Sequence, residues 1–407
     1  MKVSKCKGTR DLMPQDMARF RHIEGVFRGC CLKWGYEEVR TPTLEYLHLF
    51  TSAGTLTPSM LGRVYSFLDW NGWSGERVVL RPDGTIPAAR LYIEGLVHRP
   101  IARLFYVENV FAFEETRERW QCGAELIGSA KPEGDAELVV LALEILTQLG
   151  IEPVEVRLSH AGLLKGLLGS LDLSPEEQAE LMDKILAQDA ETMGEIKHRA
   201  PELEKPLSLL FALKGSSQGF VQNLKGIFEA FPAIMPAIDD LARIADTLSA
   251  MGYGYQIDLA SARGFEYYTG VIFQFYNSAQ KIGGGGRYDE LIPLIGGGKI
   301  PASGFALYLD GLMNLIKLEV SSGARVLIKA ETGTGDELKG CFEVASLLRD
   351  RGYIAELDLG QEPRDFRWVI SIGKEGEALL YQLRDEISGG KRSEASFELI
   401  LRHMEAG

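Results

Sequence analysis

The sequence has no apolar run approaching the ~20 residues of a membrane-spanning helix, and Met1 to Lys7 lacks the apolar stretch of a signal peptide. A cytoplasmic chain that touches no membrane is therefore expected. Cysteine is sparse. Cys6, Cys30, Cys31, Cys122 and Cys341 are odd in number and contain no Cys-x-x-Cys, which argues for reduced thiols and against a disulfide framework or zinc site. The six histidines show no His-x-x-x-His or His-x-x-Glu pattern, so no metal site is expected. Gly298-Lys299 is followed by Ile300 and preceded at the Walker spacing by Pro293, which excludes a P-loop. No cofactor is called for. Positive charge is also short, with 44 Lys+Arg against 57 Asp+Glu and a net charge of −13. Such a chain repels a polyanion unless it keeps a local basic patch.

What is present is the composition of a globular protein. Of 407 residues, 45% are hydrophobic and 25% charged, enough for sizeable cores in two or three domains. Residues 17–34 have helical spacing, with Phe20, Ile23, Phe27 and Leu32 apolar, and are followed by Gly35 and an extended run to Pro42. Residues 64–80 read as a hairpin around Asn71-Gly72. Two further strands flank Glu114 to Gln121; a helix spans about 135–148 and a strand 154–158. From Ser174 to Met251 the pattern is helical, opening on a capping box, Ser174-Pro-Glu-Glu177, and carrying a stripe of Ile238, Leu241, Ile244 and Leu248. The last 85 residues alternate strands (325–329, 353–357, 368–372) with helices (336–351, 375–387), a small α/β unit. With 12 Lys+Arg against 16 Asp+Glu over 323–407, that unit is poorly suited to RNA.

The most informative stretch runs from Leu259 to Gly298. It contains Arg263-Gly-Phe-Glu-Tyr267-Tyr268-Thr-Gly270, then Gly283-Gly-Gly-Gly286-Arg287-Tyr288-Asp289. Val271, Phe273 and Phe275 alternate like a half-buried strand. Arg offers a planar fork to a carboxylate, and tyrosines give a π face with a hydroxyl at its edge. A small zwitterion with a ring fits that set; a Gly-rich hairpin with core aromatics is the plainer alternative.

Arg-Gly-x-x-Tyr-Tyr followed by Gly-Gly-Arg-Tyr-Asp resembles the two histidine-specific motifs of histidyl-tRNA synthetase and its non-synthetase relatives. Other stretches extend the likeness. The helix and strand up to Pro42 resemble the first motif of class II synthetases, which implies a dimer interface. Arg81-Pro-Asp83-Gly-Thr85 is similar to a motif whose acidic residue holds the amino group of histidine. Leu104 to Gly128 resembles the second motif, with Gln121 and Glu125 matching pocket positions, and their four-residue spacing places both on one face of a strand. Gly304-Phe-Ala-Leu-Tyr308-Leu-Asp310-Gly311-Leu resembles the third motif. The resemblance implies an α+β fold: a class II synthetase-like antiparallel sheet with flanking helices over 1–320, a helical insertion at about 172–250, and a small C-terminal α/β domain at 323–407.

Departures from the family sort by chemistry. The groups implied to hold histidine remain: Asp83, Thr85, Gln121, Glu125, Arg263, Tyr267, Tyr268 and Tyr288. The two arginines implied to hold ATP are replaced by Ala112 and Gly311, a bulky Tyr308 stands where the family has a small Gly, and the loop from Glu114 to Gln121 is short. Losing one well-placed electrostatic donor costs ~10²–10³ in rate; losing two leaves on the order of 10⁻⁴ to 10⁻⁶ if the effects add. No catalytic residue is therefore assigned, and the pocket is expected to sense histidine without activating it. This pattern is similar to that of the regulatory subunits of ATP phosphoribosyltransferase, paralogues of the synthetases. The resemblance implies a homodimer within a hetero-oligomer with the short-form catalytic subunit, L-histidine as effector, feedback control of the first step of histidine biosynthesis, and no tRNA. The alternatives are an active histidyl-tRNA synthetase, another class II paralogue that binds histidine, and a scaffold with a vestigial pocket.

Overall fold

The computed structural model describes residues 3–54, 61–70, 75–169, 200–259, 268–318, 324–360 and 366–405, with isolated positions between these spans. The chain forms two compact units, Met1–Leu318 and Glu319–Gly407.

Among the described residues, the first unit is built on a nine-stranded sheet and a three-stranded one. A 20-residue helix, Pro14–Lys33, opens it, and Gly35 at φ 78° lets the chain leave the helix. The strands that follow are β1 (Glu37–Glu38), β2 (Leu44–Tyr46), β3 (Ser66–Trp70), β4 (Gly75–Leu80), β5 (Ala102–Phe111), β6 (Glu118–Ile127), β7 (Glu155–His160), β8 (Lys214–Gly215), β9 (Tyr255–Asp258), β10 (Val271–Asn277), β11 (Gln280–Arg287) and β12 (Ala302–Tyr308). The large sheet has the order β1-β5-β6-β12-β11-β10-β7-β9-β8, and its central pairs, from β5 to β7, are antiparallel. β2, β4 and β3 form the small sheet.

Helix Pro132–Gln148 is apolar almost all round and correspondingly buried, packing against Pro14–Lys33 and the sheet. The expected stripe of Ile238, Leu241, Ile244 and Leu248 lies on helix Met235–Ala250 and is fully buried in the same core. Residues 71–74 of the expected hairpin turn, and Ser174 to Glu176 of the capping box, lie outside the described residues. The helical region is not purely helical, because Lys214–Gly215 adds a short edge strand beside β9. Strand β10 is also more buried than its alternation indicated. Both faces from Val271 to Phe275 are covered, including Gln274.

The second unit carries β13 (Arg325–Ala330), β14 (Ile354–Leu357), β15 (Trp368–Glu375), β16 (Ala378–Asp385) and β17 (Lys391–Glu394), ordered β14-β13-β15-β16-β17. Helices Gly335–Asp350 and Phe397–Glu405 pack on the face bearing Val326, Ile328, Ile370 and Ile372. The helix expected over 375–387 is instead strand β16. Gly376, at φ 66°, and Glu377 form the two-residue turn of a hairpin whose closing pair is Glu375 and Ala378. Leu379, Tyr381 and Leu383 then alternate toward the helix-covered face. Three leucines close together imitate a helical stripe, and the period of two wins once Gly376 turns the chain back.

Candidate functional site

The register of the large sheet shows why a cavity exists. On one face, antiparallel pairing aligns Tyr106, Gly123, Ala306 and Gly284 in one row, and Leu104, Glu125, Gly304 and Gly286 in the next. Glycine and alanine therefore leave a floor almost without side chains, and larger groups rise at its edges. The resulting cavity is lined by Asp83, Thr85, Gln121, Tyr268, Tyr288 and Tyr308 over Gly284, Gly304 and Ala306. It holds about 70 Å³ of space open to a water-sized sphere, room for several waters or one small polar molecule.

Glu125 is fully buried on this same face, beside the floor at Gly304. Tyr106 Oη donates to its Oε1 at 3.0 Å, and Tyr288 Oη bonds to its Oε2. Burial raises its pKa to about 8, with the nearby Asp83 carboxylate adding to the rise and the hydroxyls of Tyr288, Thr85 and Tyr106 opposing it. Gly304 is required here, because a Cβ at that position would stand 1.7 Å from Glu125 Oε2. Tyr106 needs the same allowance: its ring fills the space where Cβ atoms of Gly84 and Gly123 would lie.

Asp83 sits at the start of helix Thr85–Leu91 and accepts from the Ile86 N–H at 2.8 Å. Burial raises its pKa to about 6 against the pull of those backbone donors. The turn that carries it is anchored by Arg81. The Arg81 guanidinium is buried against Glu108 (Nη1 to Oε2, 2.8 Å) and also donates to the carbonyls of Thr41 and Asn109. Glu108 in turn accepts from the Thr41 N–H at 2.6 Å.

Of the eight residues expected at the site, Asp83, Thr85, Gln121, Glu125, Tyr268 and Tyr288 converge on this cavity or its floor. Arg263 and Tyr267 lie outside the described residues. Arg287, between Gly286 and Tyr288, plays a different part. It is buried in a bidentate pair with Asp135 (3.0 and 3.1 Å), holding β11 against helix Pro132–Gln148. Sequence reasoning missed Tyr106, whose signal was a glycine, Gly123, directly opposite an aromatic across the strand pair. It also missed the floor residues Gly284, Gly304 and Ala306.

At the positions implied for ATP the surroundings are self-contained. Ala112 donates its N–H to the Arg117 carbonyl at the end of the β5–β6 hairpin. Asp310 is bonded by Arg10 and accepts from the Trp120 N–H at 2.8 Å. Gly311 faces Gln280. Tyr308, whose hydroxyl burial pushes up to about 12, stands in register with Gln121 at the cavity edge.

An antiparallel sheet of this order, flanked by helices and with a pocket of acidic and tyrosyl groups on its face, defines a class II synthetase-like core. A family model, histidyl-tRNA synthetase, matches residues 8–312. The ATP phosphoribosyltransferase regulatory subunit of Dehalococcoides mccartyi is 51% identical over 92% of both chains. The histidine–tRNA ligase of Methanosarcina acetivorans is 33% identical over 96% of this chain and 95% of its own. In structure, a regulatory subunit/histidyl-tRNA synthetase from Bacillus halodurans superposes with a TM-score of 0.79 at 23% identity, covering 92% of this chain and 100% of that one. The chain belongs to the histidyl-tRNA synthetase family, in its branch of ATP phosphoribosyltransferase regulatory subunits.

Proposed function

We propose that the chain binds free L-histidine in the cavity over Gly284 and Gly304 and passes that signal to a catalytic ATP phosphoribosyltransferase subunit, without activating histidine itself. One observation carries the reading: the histidine-side groups converge on one cavity, while the nucleotide side presents Ala112 and Gly311 and an Asp310 already engaged by Arg10. Asp83 takes the ammonium, Arg263 the carboxylate, and Gln121, Glu125, Tyr267, Tyr268 and Tyr288 surround the ring. The partner is the short-form catalytic subunit, the step is the first of histidine biosynthesis, and no tRNA is bound. A homodimer is supported by the small sheet, where Leu44, Tyr46 and Phe67 are 48%, 48% and 45% exposed. Coupling between histidine and the partner's ligands is reciprocal, so each must change the other's affinity by the same factor.

The test is to mix the purified chain with a short-form catalytic subunit and follow product formation with and without histidine. Activity that appears on mixing and falls with histidine is the expected result. If mixing changes nothing while the chain alone exchanges pyrophosphate into ATP in the presence of histidine, the regulatory reading fails.

The pocket's ionisation makes a second expectation. An ammonium paired with Asp83 favours the ionised carboxylate, so histidine binding weakens as pH falls through about 6. Below that value the affinity drops by up to about ten-fold per pH unit. In calorimetry between pH 5 and 8, Asp83→Asn should bind more weakly at pH 7.5 and lose this part of the slope. A slope identical in wild type and variant removes Asp83 as the ammonium partner.

A further inference from the structure

The second unit holds a cavity that nothing above uses. Its origin lies in the connections of the sheet. β13 is parallel to both β14 and β15 and lies between them. The crossover from β13 to β14 steps one way and the crossover from β14 to β15 steps back, so right-handed connections must run over opposite faces. Helix Gly335–Asp350 fills the first crossover, and helix Phe397–Glu405 packs on the same face. The second crossover is only the ten residues 358–367, and from it Phe366 reaches back onto Leu327 and Val369. Among the described residues, the opposite face of β15, β16 and β17 is thus left open beyond Phe366.

The register shows what that face displays. One row across four strands reads Lys329, Ser371, Gln382, Ser393; the next reads Leu327, Val369, Arg384, Lys391. These side chains, with Glu331 and the rim residues Leu383 and Arg392, line a cavity of about 380 Å³, within the roughly 300–1,000 Å³ of small-molecule sites. Three cations, Lys329, Arg384 and Lys391, face one carboxylate, Glu331. Arg384 is bonded to Glu386. Among the described residues, no carboxylate lies within ion-pair distance of Lys329, Lys391 or Arg392, although the unit as a whole is acidic. Elsewhere in this unit Arg325 pairs with Glu356 and Lys374 with Asp336.

We propose that this open face binds a small molecule carrying a phosphate or diphosphate group. Lys329 and Lys391 would supply charge, and Ser371, Gln382 and Ser393 would donate to the remaining oxygens. A long nucleic acid is disfavoured, because outside this cavity it would meet a surface rich in Asp and Glu.

The probe is inorganic pyrophosphate, titrated calorimetrically into the full chain at low salt, with citrate and a single-stranded RNA oligonucleotide as comparisons. Pyrophosphate should bind more tightly than citrate, and the double variant Lys329→Gln/Lys391→Gln should weaken it at least about ten-fold. Both positions lie off the core, so unchanged circular dichroism and histidine affinity would show that the variant is folded. Failure of pyrophosphate to bind overturns the proposal, as does binding that ignores the double variant. Preferential binding of citrate, or of RNA with a steep salt dependence, also overturns it, in favour of a carboxylate or nucleic-acid site.

Discussion

Glu108→Ala lowers the stability of the first unit by about 3–5 kcal/mol, the cost of leaving a buried partner charge uncompensated. The side chains of Arg81 and Glu108 are 4% and 2% exposed, and their contact joins three segments distant in sequence. Glu108 holds the Thr41 N–H and hydroxyl, while Arg81 ties the carbonyls of Thr41, Pro42 and Asn109. The cluster therefore sets the turn that delivers Asp83 to the cavity, and the variant should lose histidine affinity along with stability. Replacing both charges, as Arg81→Met/Glu108→Leu, should recover much of the loss, because no lone charge then remains buried. A shift in the urea midpoint corresponding to less than about 1 kcal/mol for Glu108→Ala would show that water reaches the pair and that it is not structural.

Gly304→Ala should weaken histidine binding markedly while leaving the chain folded. The added methyl carbon would meet Glu125 Oε2 at 1.7 Å and the Ala124 carbonyl at 2.8 Å. The strand cannot retreat, because it is paired on both sides, to β6 and β11. The carboxylate is the flexible partner, and when it swings away its bonds to Tyr106 and Tyr288 are lost. Overpacking of this kind costs about 1–3 kcal/mol of stability. Two hydrogen bonds to this buried carboxyl, whose pKa of about 8 leaves it largely protonated at pH 7.5, at about 0.5–1.5 kcal/mol each, correspond to roughly 5- to 150-fold in affinity if they orient the ring-binding groups. Calorimetry with histidine at pH 7.5 decides the matter. Wild-type affinity in the folded variant would place histidine elsewhere, whereas loss of binding with retained assembly onto the catalytic subunit would separate sensing from docking.

Much of this site was legible in the chain before folding. Motif order singled out Asp83, Thr85, Gln121, Glu125, Tyr268 and Tyr288, because chemistry that needs a carboxylate, an amide and tyrosyl rings constrains residue type at each position. The period of two correctly placed Gln121 and Glu125 on one face. The absence of arginine at 112 and 311 is likewise a property of the sequence alone.

Other features depended on non-local pairing. Nothing local in Gly304 distinguishes it from other glycines; its importance arises from standing opposite Glu125 across a strand pair far apart in sequence. Arg287, embedded in a pocket motif, is drawn away by Asp135 on a distant helix. Residues 375–387 spaced their leucines like a helix, and the choice of strand fell to the turn at Gly376 and to an open sheet edge waiting for a partner. The cationic face of the second unit was hidden for the same reason. Lys329, Ser371, Arg384 and Lys391 come from four strands, and only their register brings them together. Side-chain chemistry and local periodicity are written along the chain, so the sequence by itself determined the pocket's reagents and most of its helices and strands. Which residues meet across strands depends on pairing over long separations, and that only the tertiary structure decided.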